Sequence, residues 1–245
     1  MSGHSHWHSI KRQKQAADKK RGKVFSKISR QISVAAKEGG GDPETNSNLR
    51  LAIEKAKDFN MPKDNIERAV KKGTGELEGE KLDSFIFEAY GPEGVAIIIE
   101  GITDNKNRTV SEIKKILSQN NGKLADEGSV KWMFERKGSL IINLEDQEEN
   151  LKDKEKIELE AIESGAEDFL LHQDNILEIH AKPEKLEQAK NSLKKKGIKI
   201  DSSSVDWVAK EELEVDEKTI QKCQNIFDAL EENEGVQEVY SNLKS

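Results

Sequence analysis

The chain has 245 residues, 36% of them charged and 34% hydrophobic, with a formal net charge of −7. This length allows two or three domains, each with its own core. No run approaches the roughly 18 apolar residues of a membrane span, and the basic N-terminus lacks the apolar stretch of a secretory signal. The only cysteine, Cys223, excludes an internal disulfide and a cysteine-based zinc site. We therefore expect a cytoplasmic protein without a membrane anchor.

The positive charge is concentrated at the N-terminus. Residues 1–37 hold ten lysines and arginines against one acid, Asp18. Residues 38–75 hold seven residues of each sign, so the rest of the chain carries the acidic excess. This distribution predicts that the N-terminal region meets a polyanion and that the acidic body avoids it.

The first 78 residues predict a basic arm and three helices. Residues 1–19 show no apolar periodicity and are expected to order only on a partner. From about Lys20 apolar side chains recur on one side of a helix that ends at a glycine triplet. A second helix opens near Asn46, and Pro62 stands at the start of a third.

The next elements are a hairpin, a helix and a strand. Residues 84–101 alternate around a glycine–proline turn, which is typical of a hairpin. The helix that follows is assigned a capping box formed by Thr109 and Glu112. The apolar alternation at residues 130–134 predicts a half-buried strand that includes Trp132.

Residues 139–208 show the β-α-β-β-α-β order of a ferredoxin-like unit. Its last strand is expected through Ile198 and Ile200, and Val205 and Trp207 begin a strand that returns to the preceding unit. A helix and a further strand close the chain.

We predict an α+β multidomain protein, in which an N-terminal three-helix domain precedes two α+β domains, one ferredoxin-like and inserted in the other. The segment before the insertion has too few elements for a domain, and the C-terminal segment supplies more. The predicted domains are residues 1–78, residues 79–135 with 205–245, and residues 136–204.

One side of the first helix is basic. Five cations lie on it, and the apolar residues lie on the other side. This basic stripe consists of Lys20, Lys23, Lys27, Arg30 and Lys37. It contains no acid, whereas a merely solvated face usually mixes signs, so binding to nucleic acid or the ribosome is favoured over a solvated surface.

The arm adds aromatic and imidazole rings to these cations. Such rings stack on exposed bases, which favours irregular or single-stranded nucleic acid. The predicted contact residues are His4, His6, Trp7, Lys11, Arg12, Lys14, Lys19, Lys20, Arg21, Lys23, Lys27 and Arg30.

A second contact loop is predicted just before the fourth helix. It is dense in hydrogen-bonding side chains and ends at a helix N-terminus, which attracts anions. Its candidate residues are Asp104, Asn105, Asn107 and Arg108. A turn that only caps the helix explains these residues equally well.

The residues give little support to catalysis. His172 and His180 flank a strand without a nucleophile or paired carboxylates, and residues 73–75 fit neither a Walker loop nor a dinucleotide fingerprint. If Met1 is removed, the start Ser2-Gly3-His4 can bind copper or nickel in a plane, but no second group of ligands accompanies it. We expect no enzymatic activity, no metal site and no cofactor.

Four stretches resemble the YebC/PmpR family: "GHSHW", "KRGKVFSKISRQISVAAKEGGGDPETNSNLRLAIEKAKDFNMPKDNIERAVKKGTGE", "AYGPEGVAIIIEGITDNKNRTVSEIKKIL" and "GSVKWMFERKG". The resemblance implies a helical domain followed by two α+β domains. It also implies a nucleic-acid-binding regulator of gene expression, described for many members as a DNA-binding transcriptional regulator. Mitochondrial relatives activate translation of a cytochrome oxidase subunit, and bacterial members are linked to ribosomes stalled on proline-rich stretches.

Two hypotheses therefore stay open. A DNA-binding transcriptional regulator agrees with the family description. A ribosome-associated translation factor that binds ribosomal RNA agrees better with the residues, because lysine contacts position a nucleic acid without reading its sequence. The residues indicate neither the target sequence nor the oligomeric state.

Overall fold

The computed structural model describes residues 6–151, 153–172 and 175–244, and for residues 6–20 and 150 the backbone alone. Within this part the helices are α1 His6–Gly39, α2 Ser47–Asp58, α3 Lys63–Thr74, α4 Lys106–Gln119, α5 Lys154–Glu163, α6 Leu186–Lys195 and α7 Glu217–Glu231. The strands are β1 Asp83–Tyr90, β2 Ala96–Thr103, β3 Lys123–Leu124, β4 Phe134–Asn143, β5 Ala166–His172, β6 Ile176–Ala181, β7 Ser202–Ala209 and β8 Val236–Ser241. No helix in the described ranges is long and apolar enough to cross a membrane.

The first three helices pack around a shared apolar core, as the sequence predicts. Asn46 caps α2 by accepting the N–H of Leu49 at 3.1 Å, and its amide donates to the carbonyl oxygen of Ala35 at 2.8 Å. The expectation that residues 1–19 form an arm that orders only on a partner is corrected for residues 6–19, because α1 already begins at His6. Alanine, glutamine, lysine and arginine are strong helix formers, and no proline interrupts this segment.

The first sheet has the order β3-β1-β2-β8, with every pair antiparallel, and α4 and α7 cover one face. The hairpin is confirmed, but the capping box is wrong. Asn105 is the N-cap of α4 and accepts the N–H of Arg108 at 3.1 Å. The hydroxyl of Thr109 instead lies inside the helix, 2.8 Å from the hydroxyl of Thr103.

The second sheet has the order β5-β6-β4-β7, again antiparallel, and it packs against α5 and α6 in a ferredoxin-like arrangement. Its last strand is β7 and not the segment through Ile198 and Ile200. Ile198 lies in a loop and is nevertheless buried, because an apolar side chain can pack into the core without belonging to a strand. Val205 and Trp207 therefore belong to this sheet and pair with β4.

The second sheet is formed between β3 and α7, so it interrupts the unit that β8 completes. The domain boundaries stay a prediction, and the pairing of β7 with β4 argues for ending the insertion after Ala209. The strand predicted at residues 130–134 is also corrected. Lys131–Met133 form a 3₁₀ turn, and β4 begins at Phe134.

A buried ion-pair cluster stabilises the second sheet. Glu178 is 2% exposed and lies 2.7 Å from the Nε2 of His172 and 3.0 Å from the Nε2 of His180. Burial alone would raise the pKa of Glu178, but the hydrogen bonds from both histidines lower it to about 2. Burial alone would lower the pKa of His180, but the hydrogen bond to Glu178 and its charge raise it.

The cluster should contribute most to stability in mildly acidic solution. The contribution of Glu178 is present above its ordinary pKa of 4.5 and is lost as the pH falls towards 2. That of His180 is present below its ordinary pKa of 6.5 and is lost as the pH rises through its raised value. Urea unfolding should show that the Glu178→Gln variant loses most stability, relative to wild type, between about pH 4.5 and pH 6.5. A loss of stability that is the same at every pH would contradict the role of these charges.

Candidate nucleic-acid interface

The basic stripe of α1 contacts the C-terminal end of α7. Lys23 donates to the carboxylate of Glu232 at 2.8 Å and also to its carbonyl oxygen. Lys27 and Arg30 donate at 2.7 Å and 2.8 Å to carbonyl oxygens at the end of α7 and in the loop after it. The last carbonyl groups of a helix lack partners within it and carry the negative end of its dipole, so these cations stabilise α7.

At Lys23, Lys27 and Arg30 the predicted nucleic-acid contact side of α1 is therefore also a contact within the protein. Lys37 is exposed and donates at 2.8 Å to a backbone carbonyl oxygen just before β1. Burial lowers the pKa of Lys27 to about 8, against the raising effect of the Glu238 carboxylate. Charge reversal at Lys23, Lys27 and Arg30 would therefore detach α1 from α7, whatever it does to nucleic-acid binding. The assignment of these cations to nucleic acid stays a prediction.

A cleft of about 560 Å³ opens between α1, α3 and the segment 79–82, and we call it the α1–α3 cleft. Its cationic lining consists of Arg30, Lys37, Arg68, Lys72 and Lys81. Its hydroxyl and amide groups come from Ser26, Ser29, Ser33 and Asn65. Among the described lining residues, Glu80 has the only carboxylate. The cleft is thus a concave, positively charged surface with neutral hydrogen-bonding groups.

Close contact between α1 and α3 sets one end of this cleft. A Cβ atom on Gly73 would lie 2.2 Å from the carbonyl oxygen of Ser33 and 2.7 Å from the Cβ of Ala36, so a larger residue does not fit there. The hydroxyl of Ser33 donates to the carbonyl oxygen of Ala69 at 2.8 Å. Together these contacts hold the two cationic helix sides at a fixed separation.

Three of the cleft cations keep their donors for a ligand. Arg68, Lys72 and Lys81 are exposed and form no ion pair or side-chain hydrogen bond with any described residue. Arg30 and Lys37, in contrast, also pair with the carboxylates of Glu234 and Asp83. Exposed guanidinium and ammonium groups beside serine hydroxyls are the donors that proteins use for phosphate oxygens.

The structure describes only part of the predicted arm. His4 lies outside the described residues. Six further predicted contacts lie on the N-terminal half of α1, where side chains are outside the description: His6, Trp7, Lys11, Arg12, Lys14 and Lys19. The side chain of Lys20 also lies outside the description. Arg21 is exposed and interacts with other groups of the protein. Of the predicted contacts whose side chains are described, Arg30 lines the α1–α3 cleft, whereas Lys23 and Lys27 lie against the end of α7.

The predicted second contact loop is organised around its own helix. Asn105 caps α4, and Arg108 forms an ion pair with Asp104. The pKa of Asp104 is lowered despite slight desolvation, by its own backbone N–H, by Arg108 and also by Arg30. The loop thus lies near Arg30 of the stripe. The exposed Asn107 has no side-chain hydrogen bond to another described residue, and the role of the loop in ligand contact stays a prediction.

Sequence reasoning missed the cations of α3, because residues 38–75 hold equal numbers of acids and bases. The helical spacing of Asn65, Arg68 and Lys72 places them on one side, whereas Asp64 and Glu67 lie on another. The signal was therefore present in the spacing of the charges, although not in their sum. Lys81 reaches the cleft only through the fold.

Comparisons with known proteins agree with this fold. The family model described as the TACO1/YebC protein N-terminal domain matches residues 5–76, and the TACO1/YebC second and third domain model matches residues 82–243. A protein of Halothermothrix orenii named "Probable transcriptional regulatory protein" is 51% identical, with 99% of this chain and 95% of the relative covered. A protein of Persephonella marina with the same name is 46% identical, over 100% of this chain and 96% of the relative.

A solved structure shows the same architecture. The crystal structure of a conserved hypothetical protein from Aquifex aeolicus is 42% identical and superposes with a TM-score of 0.85. The match covers 93% of this chain and 92% of that protein. The two proteins therefore share their arrangement of helices and sheets over the matched part.

The contact of α1 with α7 can be tested through Lys27. Its pKa of about 8 lies below the ordinary 10.5, so the unfolded chain binds more protons between these values, and stability rises with pH there. The Lys27→Met variant lacks this contribution. Urea unfolding should show wild type gaining about 3 kcal/mol over the variant across this window. An equal difference at every pH, as expected for the exposed control Lys115→Met, would mean that Lys27 is solvated.

Proposed function

Because the chain belongs to the TACO1/YebC family, we propose that it is a cytoplasmic nucleic-acid-binding regulator of gene expression. In this proposal the protein binds DNA and thereby regulates transcription, and the α1–α3 cleft holds the phosphate backbone of the DNA. The names of the similar proteins from Halothermothrix orenii and Persephonella marina support regulation of transcription. These names also fit a chain without enzymatic activity.

The observation that carries the proposal is the convergence of cations in the α1–α3 cleft. Arg68 and Lys72 come from one helix, Arg30 and Lys37 from another, and Lys81 from the segment before β1. The chain as a whole is acidic, with a net charge of −7, so this convergence opposes the general charge. A phosphate chain gains most from such a site and is repelled elsewhere.

A second candidate is a ribosome-associated translation factor that binds ribosomal RNA and relieves stalls on proline-rich stretches. The shape of the cleft favours it. Between Lys23 and Arg30, α1 is covered by α2 and α3 on its apolar side and by α7 on its basic side. This stretch of α1 therefore offers no free basic side to a DNA groove, whereas a concave cleft accepts the backbone of one irregular strand.

The cleft can be tested with the double variant Arg68→Gln and Lys72→Gln. Both side chains are exposed, so the fold should be unaffected, while two phosphate contacts should be lost. The log–log slope of affinity against salt should flatten by about 1.4 units on a single strand and about 1.8 on a duplex. Fluorescence anisotropy with a DNA duplex and with a ribosomal RNA fragment measures this and shows which target is bound more tightly.

The matched control is Lys114→Gln with Lys115→Gln, which removes exposed cations from α4, outside the cleft. It should leave the slope close to that of wild type. If both double variants behave alike, the cleft is not the contact surface. If wild type binds neither target at low salt, the proposed function itself is wrong.

A further inference from the structure

The 3₁₀ turn before β4 presents an unusually exposed aromatic side chain. Trp132 is 66% exposed, the highest value among the large hydrophobic side chains of the described residues. Its neighbours Val130 and Phe134 are buried in the core between the two sheets. Val130 and Phe134 therefore anchor the turn on both sides, and the indole of Trp132 points outward.

A buried carboxylate holds this turn in place. Glu88 of β1 is 4% exposed and accepts the N–H groups of Gly128, Val130 and Lys131 at 2.6, 2.5 and 2.8 Å. Burial would raise the pKa of Glu88, but these three hydrogen bonds lower it. The hydroxyl of Tyr90 donates to the carbonyl oxygen of Ser129 at 2.9 Å. An internal charge is thus used to fix a surface turn.

The orientation of the indole ring is fixed as well. Its Nε1–H donates to the carbonyl oxygen of Ser129 at 3.0 Å, so the polar edge of the ring is already satisfied. The Nζ of Lys210 donates to the carbonyl oxygen of Trp132 at 2.8 Å. The ring faces are what remains for a ligand, and a rigid ring loses little conformational entropy on binding.

Cations flank the turn that carries this ring, and the other large exposed apolar residues lie on other elements. The ammonium of Lys131 lies 5.3 Å from the ring centroid of Trp207, and the guanidinium of Arg136 lies 4.9 Å from it on the adjacent strand. The nearby carboxylate of Glu135 pairs with Lys137 at 3.0 Å. A protein partner that bound by apolar contact would need a larger hydrophobic patch than one indole.

We propose that Trp132 is a stacking platform for an unpaired base of a bound nucleic acid. A nucleotide combines a flat ring for the indole face with a phosphate for the neighbouring ammonium groups of Lys131 and Lys210. A base within a duplex is already stacked on both faces, so the platform selects single-stranded or bulged segments. This inference rests on the proposed function and adds the state of the nucleic acid that is bound.

The test compares Trp132→Ala, Trp132→Phe and the control Ile86→Ala, which truncates another exposed hydrophobic residue. The probes are a short unstructured RNA, the same RNA with abasic nucleotides, and a DNA duplex. Trp132→Ala should weaken binding of the intact RNA by about 5- to 150-fold, and Trp132→Phe should restore most of it. The abasic RNA should bind wild type and Trp132→Ala equally, and duplex binding should be unchanged.

The melting temperature of Trp132→Ala should stay within about 2 °C of wild type, because the side chain is exposed. Unchanged RNA affinity in this variant, while the Arg68 and Lys72 double variant loses affinity, would overturn the platform and leave the proposed function intact. Equal losses on intact RNA, abasic RNA and duplex would also overturn it, since they would indicate a structural role for Trp132.

Discussion

The contact between the basic stripe of α1 and the C-terminal end of α7 determines how the helical bundle is placed on the rest of the molecule. Lys23, Lys27 and Arg30 donate to the last carbonyl groups of α7 and to nearby carboxylates. Hydrogen bonds from charged donors contribute about 1.5 to 3 kcal/mol each, so those of Lys23 and Arg30 hold α1 against this end of α7. The cost of burying the charge of Lys27 offsets its own hydrogen bond. The ion pair of Lys55 with Glu238, at 2.6 Å, extends the same junction to β8.

The position of α1 then decides which of its surfaces can meet a ligand. Its apolar side packs on α2 and α3, and its basic side packs on α7. The serine-bearing side between them faces α3 and forms the α1–α3 cleft. A helical projection would also place Lys23 and Lys27 at the interface, but they are used within the protein, while Arg68 and Lys72 of α3 take exposed positions in the cleft.

Buried carboxylates in this protein organise structure at a distance from the cleft. Glu88 fixes the turn that carries Trp132, and Glu178 joins two histidines across β5 and β6. Both keep a lowered pKa because hydrogen bonds to the charged form outweigh the cost of burial. Such groups cost stability unless every lone pair is used, so each indicates a local geometry that the fold holds firmly.

The amino-acid sequence by itself determined the elements whose signals are local. Asn46 at a helix start, the hairpin around Pro92 and the β-α-β-β-α-β order all follow from capping, turn chemistry and apolar periodicity. Only the tertiary structure decided that β7 joins the second sheet, that Trp132 points outward, and that three cations of the stripe contact the end of α7. These outcomes depend on contacts between residues far apart in the chain, about 200 positions for Lys27 and the end of α7. Helical periodicity shows which side chains share a face, but the element that packs there is set by the whole fold.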